Sequence, residues 1–260
     1  MFHLGNKQFP SNELIVKISQ DIIFHYDNLG RDVVFEYIGG EPSLFQDMSF
    51  VAQRLHNHPI NILIKTNGSA SLDWWRSVRR YLAHVVISVH REYCDIDHIH
   101  EVIDFLKNEN GNPINLQVLV PVTHAEDSWS WGIKTVNDLR KRFGLGNLQM
   151  LYSNFGRGSS MYMPYSEQQW KSYKEIEGIQ EKPVSDDGLT KTLPEFRGKT
   201  CYAGVDTLVI DSDGDIWRGW CNQGGKIGNI RFEDIRWPDT AITCDKDYCH
   251  NGFDQQARKL

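Results

Sequence analysis

The sequence contains no apolar run close to the ~20 residues that a transmembrane helix requires. Its first ten residues are mostly polar and lack the apolar core of a secretory signal peptide. It also lacks an excess of basic charge, since the formal net charge is −6. Binding a nucleic-acid backbone needs a basic face. These absences predict a cytoplasmic protein that binds neither a membrane nor a nucleic acid.

Cysteine is scarce and is concentrated near the C-terminus. Four of the five cysteines fall in the last sixty residues, namely Cys201, Cys221, Cys244 and Cys249. In a reducing compartment such a group more often binds metal than forms disulfides. Four thiolates suit a [4Fe–4S] cluster or a zinc ion, and four buried, unliganded thiols are the remaining alternative. Structural zinc usually has two short cysteine pairs, and only one pair here is short, so the spacing favours the cluster.

The first two thirds of the chain alternate between strand-like and helix-like patterns. Runs rich in β-branched and aromatic residues predict five strands, at 32–38, 60–65, 84–89, 114–120 and 148–152. Apolar residues at helical spacing predict helices at 14–28, 44–55, 72–82, 96–106 and 133–143. This alternation indicates βαβ units and an α/β fold with a parallel sheet. Because a helix precedes the first strand, a barrel-like sheet would lack its first strand.

The pattern changes after residue 152. Residues 153–165 are loop-like, and the polar stretch that follows predicts a connector with one short helix at 167–173. From Cys201 onward a smaller unit is predicted, with a β-hairpin whose turn is 211–214. The aspartates of this turn resemble the start of a calcium loop, but Ile216 and Asn222 occupy the positions that need Gly and Glu. We therefore predict three regions, at 1–165, 166–199 and 200–260.

Polar and glycine-rich residues follow the predicted strands at their carboxyl ends, which is where parallel α/β sheets bind ligands. Singly, each such glycine or asparagine is better explained as a turn residue, but their repetition favours a site for a polar small molecule. The residues concerned are Gly39, Gly40, Glu41 and Pro42 after the first strand, Thr66, Asn67 and Gly68 after the second, and Ser88 and His90 at the third.

In this arrangement the chain resembles the radical S-adenosylmethionine (radical SAM) superfamily. Residues 39–42 resemble its GGEP motif, 66–68 its TNG segment, and 88–90 its serine-containing end of the following strand. The resemblance covers most of residues 10–155. It implies a partial (β/α)6 barrel that lacks strand one and binds S-adenosylmethionine through these segments. It also implies hydrogen abstraction by a 5′-deoxyadenosyl radical.

The superfamily holds its catalytic cluster on a CxxxCxxC loop, and this sequence contains no such motif. We therefore expect the chain to be inactive alone: either a second chain supplies that segment, or the start of the sequence is truncated, or the protein is a degenerate relative. The resemblance further implies an electron donor such as flavodoxin or ferredoxin, and a peptide or small-molecule substrate. The alternative is a non-catalytic metal-binding partner subunit or a degenerate relative.

The C-terminal cysteines resemble the twitch form of the SPASM domain, which binds an auxiliary [4Fe–4S] cluster. The resemblance rests on a cysteine, a hairpin, a second cysteine and a close pair near the end, and on residues 227–230, which are similar to an LGNI segment. The family's terminal CxC ending has Asn251 in place of its last cysteine. The resemblance thus implies one auxiliary cluster on Cys201, Cys221, Cys244 and Cys249.

Overall fold

The computed structural model describes residues 10–108, 113–151, 160–162, 165–178, 190–192, 196–232, 234–247, 249 and 254–260. The chain forms two compact units, which we describe separately. Of the described residues, the first unit contains those within 19–151 and 165–178, and the second contains those within 190–260 together with 10–18 and 160–162. No helix in the described ranges is long and apolar enough to span a membrane.

The first unit is built on a five-stranded parallel sheet whose order follows the chain, β1-β2-β3-β4-β5. The strands are β1 (Val33–Tyr37), β2 (Ile60–Thr66), β3 (His84–Ser88), β4 (Asn115–Val122) and β5 (Asn147–Met150). All five overlap the predicted runs, which confirms the parallel α/β sheet. β1 is an edge strand, paired through β2 alone within this sheet.

Six helices accompany the strands. They are α1 (Asn12–Asp27), α2 (Met48–Leu55), α3 (Leu72–Val78), α4 (Ile96–Asn108), α5 (Glu126–Phe143) and α6 (Glu167–Glu177). Two predicted helices are divided: Pro42–Leu44 forms a separate 3-10 turn before α2, and Arg79–Tyr81 forms another after α3. α6 extends four residues beyond its predicted end and stops at Gly178, whose left-handed backbone (φ 65°) ends the helix.

Side chains on the two faces of the sheet differ in character, because successive residues of a strand point to opposite faces. One face is apolar and packs on the helices: Ile87 faces Ile99 of α4, and Val122 faces α5. The other face carries polar residues, including Glu36, Lys65, His84 and Ser88. The sheet therefore has one mostly apolar, packed face and one face that carries charged and polar side chains.

α5 begins seven residues earlier than predicted, at Glu126 instead of Ile133. Gly132 lies inside α5, although glycine is unfavourable in a helix interior. The structure gives this glycine a packing role. A Cβ at position 132 would lie 2.2 Å from Cγ1 of Val122 and 3.1 Å from Cδ1 of Leu148. Glycine is therefore required here for α5 to approach β4 and β5 closely.

The second unit is formed by short antiparallel strands. They are β6 (Ser160–Tyr162), β7 (Thr190–Thr192), β8 (Thr200–Cys201), β9 (Val209–Ile210), β10 (Asp215–Trp217), β11 (Lys226–Asn229), β12 (Asp234–Ile235) and β13 (Ile242–Thr243). They pair as β6–β7, as β8–β13, and as a four-stranded sheet β12-β11-β10-β9. The β9–β10 hairpin confirms the predicted turn at 211–214. The β6–β7 pair lies in sequence predicted as loop and connector, and residues 153–159, 163 and 164 of that loop fall outside the described residues.

Candidate functional site

The carboxylate of Glu41 joins the ends of the first two strands. Its Oε1 accepts hydrogen bonds from the Thr66 hydroxyl (2.6 Å) and from the N–H of Ser43 (3.1 Å). Its Oε2 accepts one from the N–H of Asn67 (2.8 Å). Both oxygens of the carboxylate are engaged, and they join two of the predicted ligand-binding segments.

The turn after β2 is fixed by its own side chains. The N–H of Gly68 donates to the Thr66 hydroxyl (3.0 Å), and the N–H of Ser69 donates to Oδ1 of Asn67 (2.8 Å). Gly68 has a left-handed backbone (φ 77°), and a Cβ there would lie 2.6 Å from Cδ1 of Ile99. Both the conformation and the close contact require glycine at this position.

Gly39 and Gly40 follow β1 with left-handed backbones (φ 82° and 54°) and are exposed. A Cβ added at either position would meet no heavy atom within 4 Å. Packing therefore does not explain these two glycines, and their backbone is accessible. Pro42, the last residue of the predicted segment, is buried at the start of the 3-10 turn.

The end of β3 places Ser88 and His90 beside β4. The N–H of Val89 donates to the carbonyl of Leu119 (2.8 Å), which extends the pairing of β3 past Ser88. The carbonyl of His90 then accepts from the N–H groups of Tyr93 and Cys94, which closes a turn. Both predicted residues are half-buried. The parallel register therefore puts all three predicted segments at the carboxyl edge of neighbouring strands.

A charged cluster that the sequence analysis missed lies on the polar face of the same sheet. Lys65 forms an ion pair with Glu36, whose side chain is 11% exposed. Burial, together with Lys65, lowers the pKa of His84, against the opposing effect of Glu36. Nε2 of His84 is buried and has no hydrogen-bond partner among the described residues. The sequence signal for this cluster was a polar residue in each of three neighbouring strands, Glu36, Lys65 and His84, on the same face of the sheet.

Two of the C-terminal cysteines share one buried cluster. β8 pairs with β13 so that Cys201 faces Ile242, and the N–H of Cys244 donates to the carbonyl of Lys199 (2.8 Å). Cys201 and Cys244 are each 4% exposed and pack together with Ala203 and Ala257. The pairing of β8 with β13 thus brings two cysteines that are 43 positions apart in the chain into one small core.

Of the other two C-terminal cysteines, Cys249 is buried and Cys221 is half-buried. Burial raises the pKa of the Cys221 thiol, and Asp254 and Cys201 add to the rise, against the backbone N–H of Gln223. Burial raises the pKa of Cys249 to about 11, partly offset by Lys259, while Asp254, Cys244 and Cys221 raise it further. Both shifts favour the protonated thiol in the metal-free protein.

The four C-terminal thiols are not set in ligand geometry. Within the described parts of the chain, no three cysteine, histidine or acidic side chains form a ready-made metal site. The donor set itself fits a thiolate-bound metal, since it offers four thiols, three of them buried, and metal binding deprotonates thiols. Sequence reasoning missed Asp254 and Lys259 beside them, because the bonds that place Asp254 span more than thirty residues.

No protein-family model matches the chain, and no curated protein matches it. Among solved structures it is similar to SuiB of Streptococcus suis, with a TM-score of 0.52 and 12% identity over 90% of this chain. A structure of SuiB bound to S-adenosylmethionine gives 0.53 and 13% over the same share. The chain spans 61% and 60% of those two SuiB chains. The likeness shows a shared fold.

Proposed function

We propose that this chain is a radical SAM protein, or the C-terminal part of one, that binds S-adenosylmethionine at the carboxyl ends of β1, β2 and β3. The observation that carries the proposal is the carboxylate of Glu41, which holds the Gly39–Pro42 and Thr66–Gly68 segments together. The shared fold with SuiB, which holds S-adenosylmethionine in one of its structures, supports the same assignment.

Each segment would bind a different part of the ligand. The exposed backbone of Gly39 and Gly40 allows close approach of the amino-acid part of S-adenosylmethionine, where carbonyl oxygens accept hydrogen bonds from its ammonium. The polar groups of Asn67, Ser88 and His90 would contact its carboxylate and ribose. The Glu41 carboxylate holds the first two segments together before the ligand arrives, so ligand binding loses less conformational entropy in ordering these loops.

Equilibrium dialysis with labelled S-adenosylmethionine tests this site. The wild-type chain binds the ligand, and Gly40→Val weakens binding by about tenfold or more, because a side chain closes the approach and disfavours the left-handed backbone. Gly225→Val is the matched control, since Gly225 is also exposed and left-handed (φ 75°) but lies in the other unit. Wild-type protein that does not bind S-adenosylmethionine contradicts the proposal.

We further propose that Cys201, Cys221, Cys244 and Cys249 hold one auxiliary [4Fe–4S] cluster. Such a cluster, when bound, accepts or donates single electrons or binds substrate. The burial of Cys201, Cys244 and Cys249 supports this, because a low-dielectric pocket shields a cluster from water. Zinc in place of iron is the alternative that the same four thiolates allow.

Anaerobic reconstitution tests the cluster. Protein reconstituted with iron and sulfide should contain about four iron atoms per chain, and each of the four Cys→Ser variants should contain fewer. Cys94→Ser is the control, since Cys94 lies in the other unit and should leave the iron content unchanged. Zinc, or no metal, in the wild-type protein contradicts the cluster assignment.

The proposed reaction requires a CxxxCxxC segment, which this sequence lacks. We propose that residues outside the given sequence supply it, for example on a second chain, that flavodoxin or ferredoxin provides the electron, and that the 5′-deoxyadenosyl radical abstracts hydrogen from a peptide or small-molecule substrate. The missing motif equally favours the second candidate, a non-catalytic metal-binding partner subunit. A short upstream reading frame encoding CxxxCxxC, and release of 5′-deoxyadenosine only when both chains are mixed, would support the enzyme.

A further inference from the structure

The carboxylate of Asp254 is buried against the loop that carries Cys221. Asp254 is 3% exposed, its Oδ1 accepts from the N–H of Trp220 (2.8 Å), and its Oδ2 accepts from the N–H of Cys221 (2.7 Å). Consecutive backbone N–H groups that converge on one anion form a rigid concave site. Asp254 therefore fixes the backbone of Cys221 from a position 33 residues further along the chain.

The loop is shaped to receive this carboxylate. A Cβ at Gly219 would lie 2.7 Å from Oδ1 of Asp254 and 3.3 Å from its Cγ. Asn222, on the other side of Cys221, has a left-handed backbone (φ 57°) that turns the chain after the cysteine. Glycine at 219 is thus required for the carboxylate to reach the two N–H groups.

Asp254 is itself held in place. It begins a 3-10 turn, Asp254–Gln256, and its carbonyl accepts a hydrogen bond from the ammonium of Lys259. The same ammonium contacts the carbonyl of Ala257 (2.8 Å) and lies 5.2 Å from the ring centre of Phe196. These contacts hold the Lys259 ammonium against the 3-10 turn that carries Asp254.

We propose that Asp254 is a positioning residue that holds Cys221 in place as a metal ligand, an inference that rests on the metal centre proposed above. Cys221 is the least buried of the four C-terminal cysteines, and it lies in a loop outside β8 and β13. Strand pairing positions Cys201 and Cys244, whereas two hydrogen bonds to one carboxylate position Cys221. Partners that orient a metal ligand typically change metal affinity by about 10–100-fold when they are removed.

Cobalt(II) titration of reduced, metal-free protein tests the inference, because thiolate-to-cobalt charge-transfer absorption reports how many thiolates bind. Asp254→Asn replaces one carboxylate oxygen with an NH2 group, which cannot accept the second backbone N–H bond. The variant should therefore bind Co(II) about tenfold or more weakly and show lower charge-transfer absorption per bound cobalt. Gly219→Ala retains the carboxylate charge but displaces it, and should have the same effect. Near-UV circular dichroism confirms that each variant is folded.

Asp211→Asn is the matched control. Asp211 lies in the same unit and also accepts two backbone N–H bonds, from Asp213 (2.9 Å) and Asp215 (3.0 Å), in the β9–β10 turn. If Asp254 acts on the metal ligand rather than on the stability of the unit, Asp211→Asn should retain Co(II) affinity to within about twofold.

Three results would overturn the inference. Asp254→Asn and Gly219→Ala could both keep the wild-type affinity and spectrum, or Asp211→Asn could lose as much affinity as Asp254→Asn. If Asp254→Asn loses Co(II) affinity but Gly219→Ala does not, the loss comes from removing the carboxylate charge and not from displacing Cys221. Wild-type protein without thiolate-to-cobalt absorption would instead reject the metal centre itself, so the two failures are distinguishable.

Discussion

The hydroxyl of Thr66 donates a hydrogen bond to the carboxylate of Glu41 across 2.6 Å, although 25 positions separate the two residues in the chain. The bond joins the loop after β1 to the end of β2, and the same carboxylate accepts the N–H of Asn67. Two segments that the sequence predicts as parts of one ligand site are therefore linked in the free protein. This link makes the geometry of the site dependent on a single carboxylate.

A double-mutant cycle on this pair measures the link. Glu41→Gln should lower the free energy of unfolding by about 1–3 kcal/mol, because hydrogen bonds to a partly buried carboxylate are lost. Thr66→Val should lower it as well, and the double variant should lose less than the sum of the two. Urea denaturation of the four proteins gives the coupling energy.

The control for this cycle is an exposed carboxylate–hydroxyl pair in α5. Glu126 accepts a hydrogen bond from the Ser130 hydroxyl (3.0 Å) at the surface. Glu126→Gln and Ser130→Ala should each change stability by about 0.5 kcal/mol or less. Additive effects of Glu41→Gln and Thr66→Val would show that the two residues are not coupled.

Gly132→Ala tests the close packing of α5 on the sheet. The added Cβ would lie 2.2 Å from Cγ1 of Val122, so the variant should be less stable by about 1–3 kcal/mol despite alanine's higher helix propensity. Urea denaturation measures the change. Val122→Ala in the same protein should restore part of the loss, because it removes the atom in contact. A Gly132→Ala protein as stable as wild type would contradict the packing.

The raised pKa of Cys249 predicts a pH-dependent stability in the metal-free protein. The folded state holds the thiol proton more tightly than the unfolded state, so stability should fall as pH rises from the ordinary thiol value of 9.0 to about 11. The urea midpoint of wild type should therefore decrease more steeply over this range than that of Cys249→Ser. Equal slopes for the two proteins would contradict the burial of the thiol.

Lys259→Met should raise the pKa of Cys249 further. The ammonium lowers this pKa in the folded protein, since a nearby positive charge stabilises the thiolate. The pH dependence of iodoacetamide alkylation at Cys249, followed by mass spectrometry, reports the change through the midpoint of the rate profile. Lys226→Met, which removes the ion pair with Asp215, is the control and should leave the midpoint unchanged. A midpoint unmoved by Lys259→Met would contradict the electrostatic contact.

The parallel sheet could be predicted from sequence because its strands are short runs rich in β-branched and aromatic residues, which alternate with helical patterns and are followed by polar residues. Hydrophobic burial on one face and turn chemistry at the carboxyl ends are both local signals, and residues such as Thr66 and Ser88 lie where these signals placed them. The start of α5 could not be predicted, because the reason for Gly132 is its contact with Val122 rather than any property of its own segment.

The residues of the two candidate sites could be predicted from sequence, but the hydrogen bonds that link them could not. The strand-end residues and the cysteines stand out by type and spacing, whereas the use of Glu41 as a link between loops depends on register between strands. The same holds for Asp254, whose two hydrogen bonds join residues more than thirty positions apart. Such pairings carry no local pattern, so only the folded chain reveals them.

Hydrogen–deuterium exchange with and without S-adenosylmethionine tests the central claim most directly, because it reports on each backbone segment of the unmodified chain. If S-adenosylmethionine binds at the carboxyl ends of β1, β2 and β3, exchange should slow in peptides that contain 39–42, 66–68 and 88–90, with little change in the second unit. Exchange that S-adenosylmethionine leaves unaltered in all three segments, or protection confined to other parts of the chain, would contradict it.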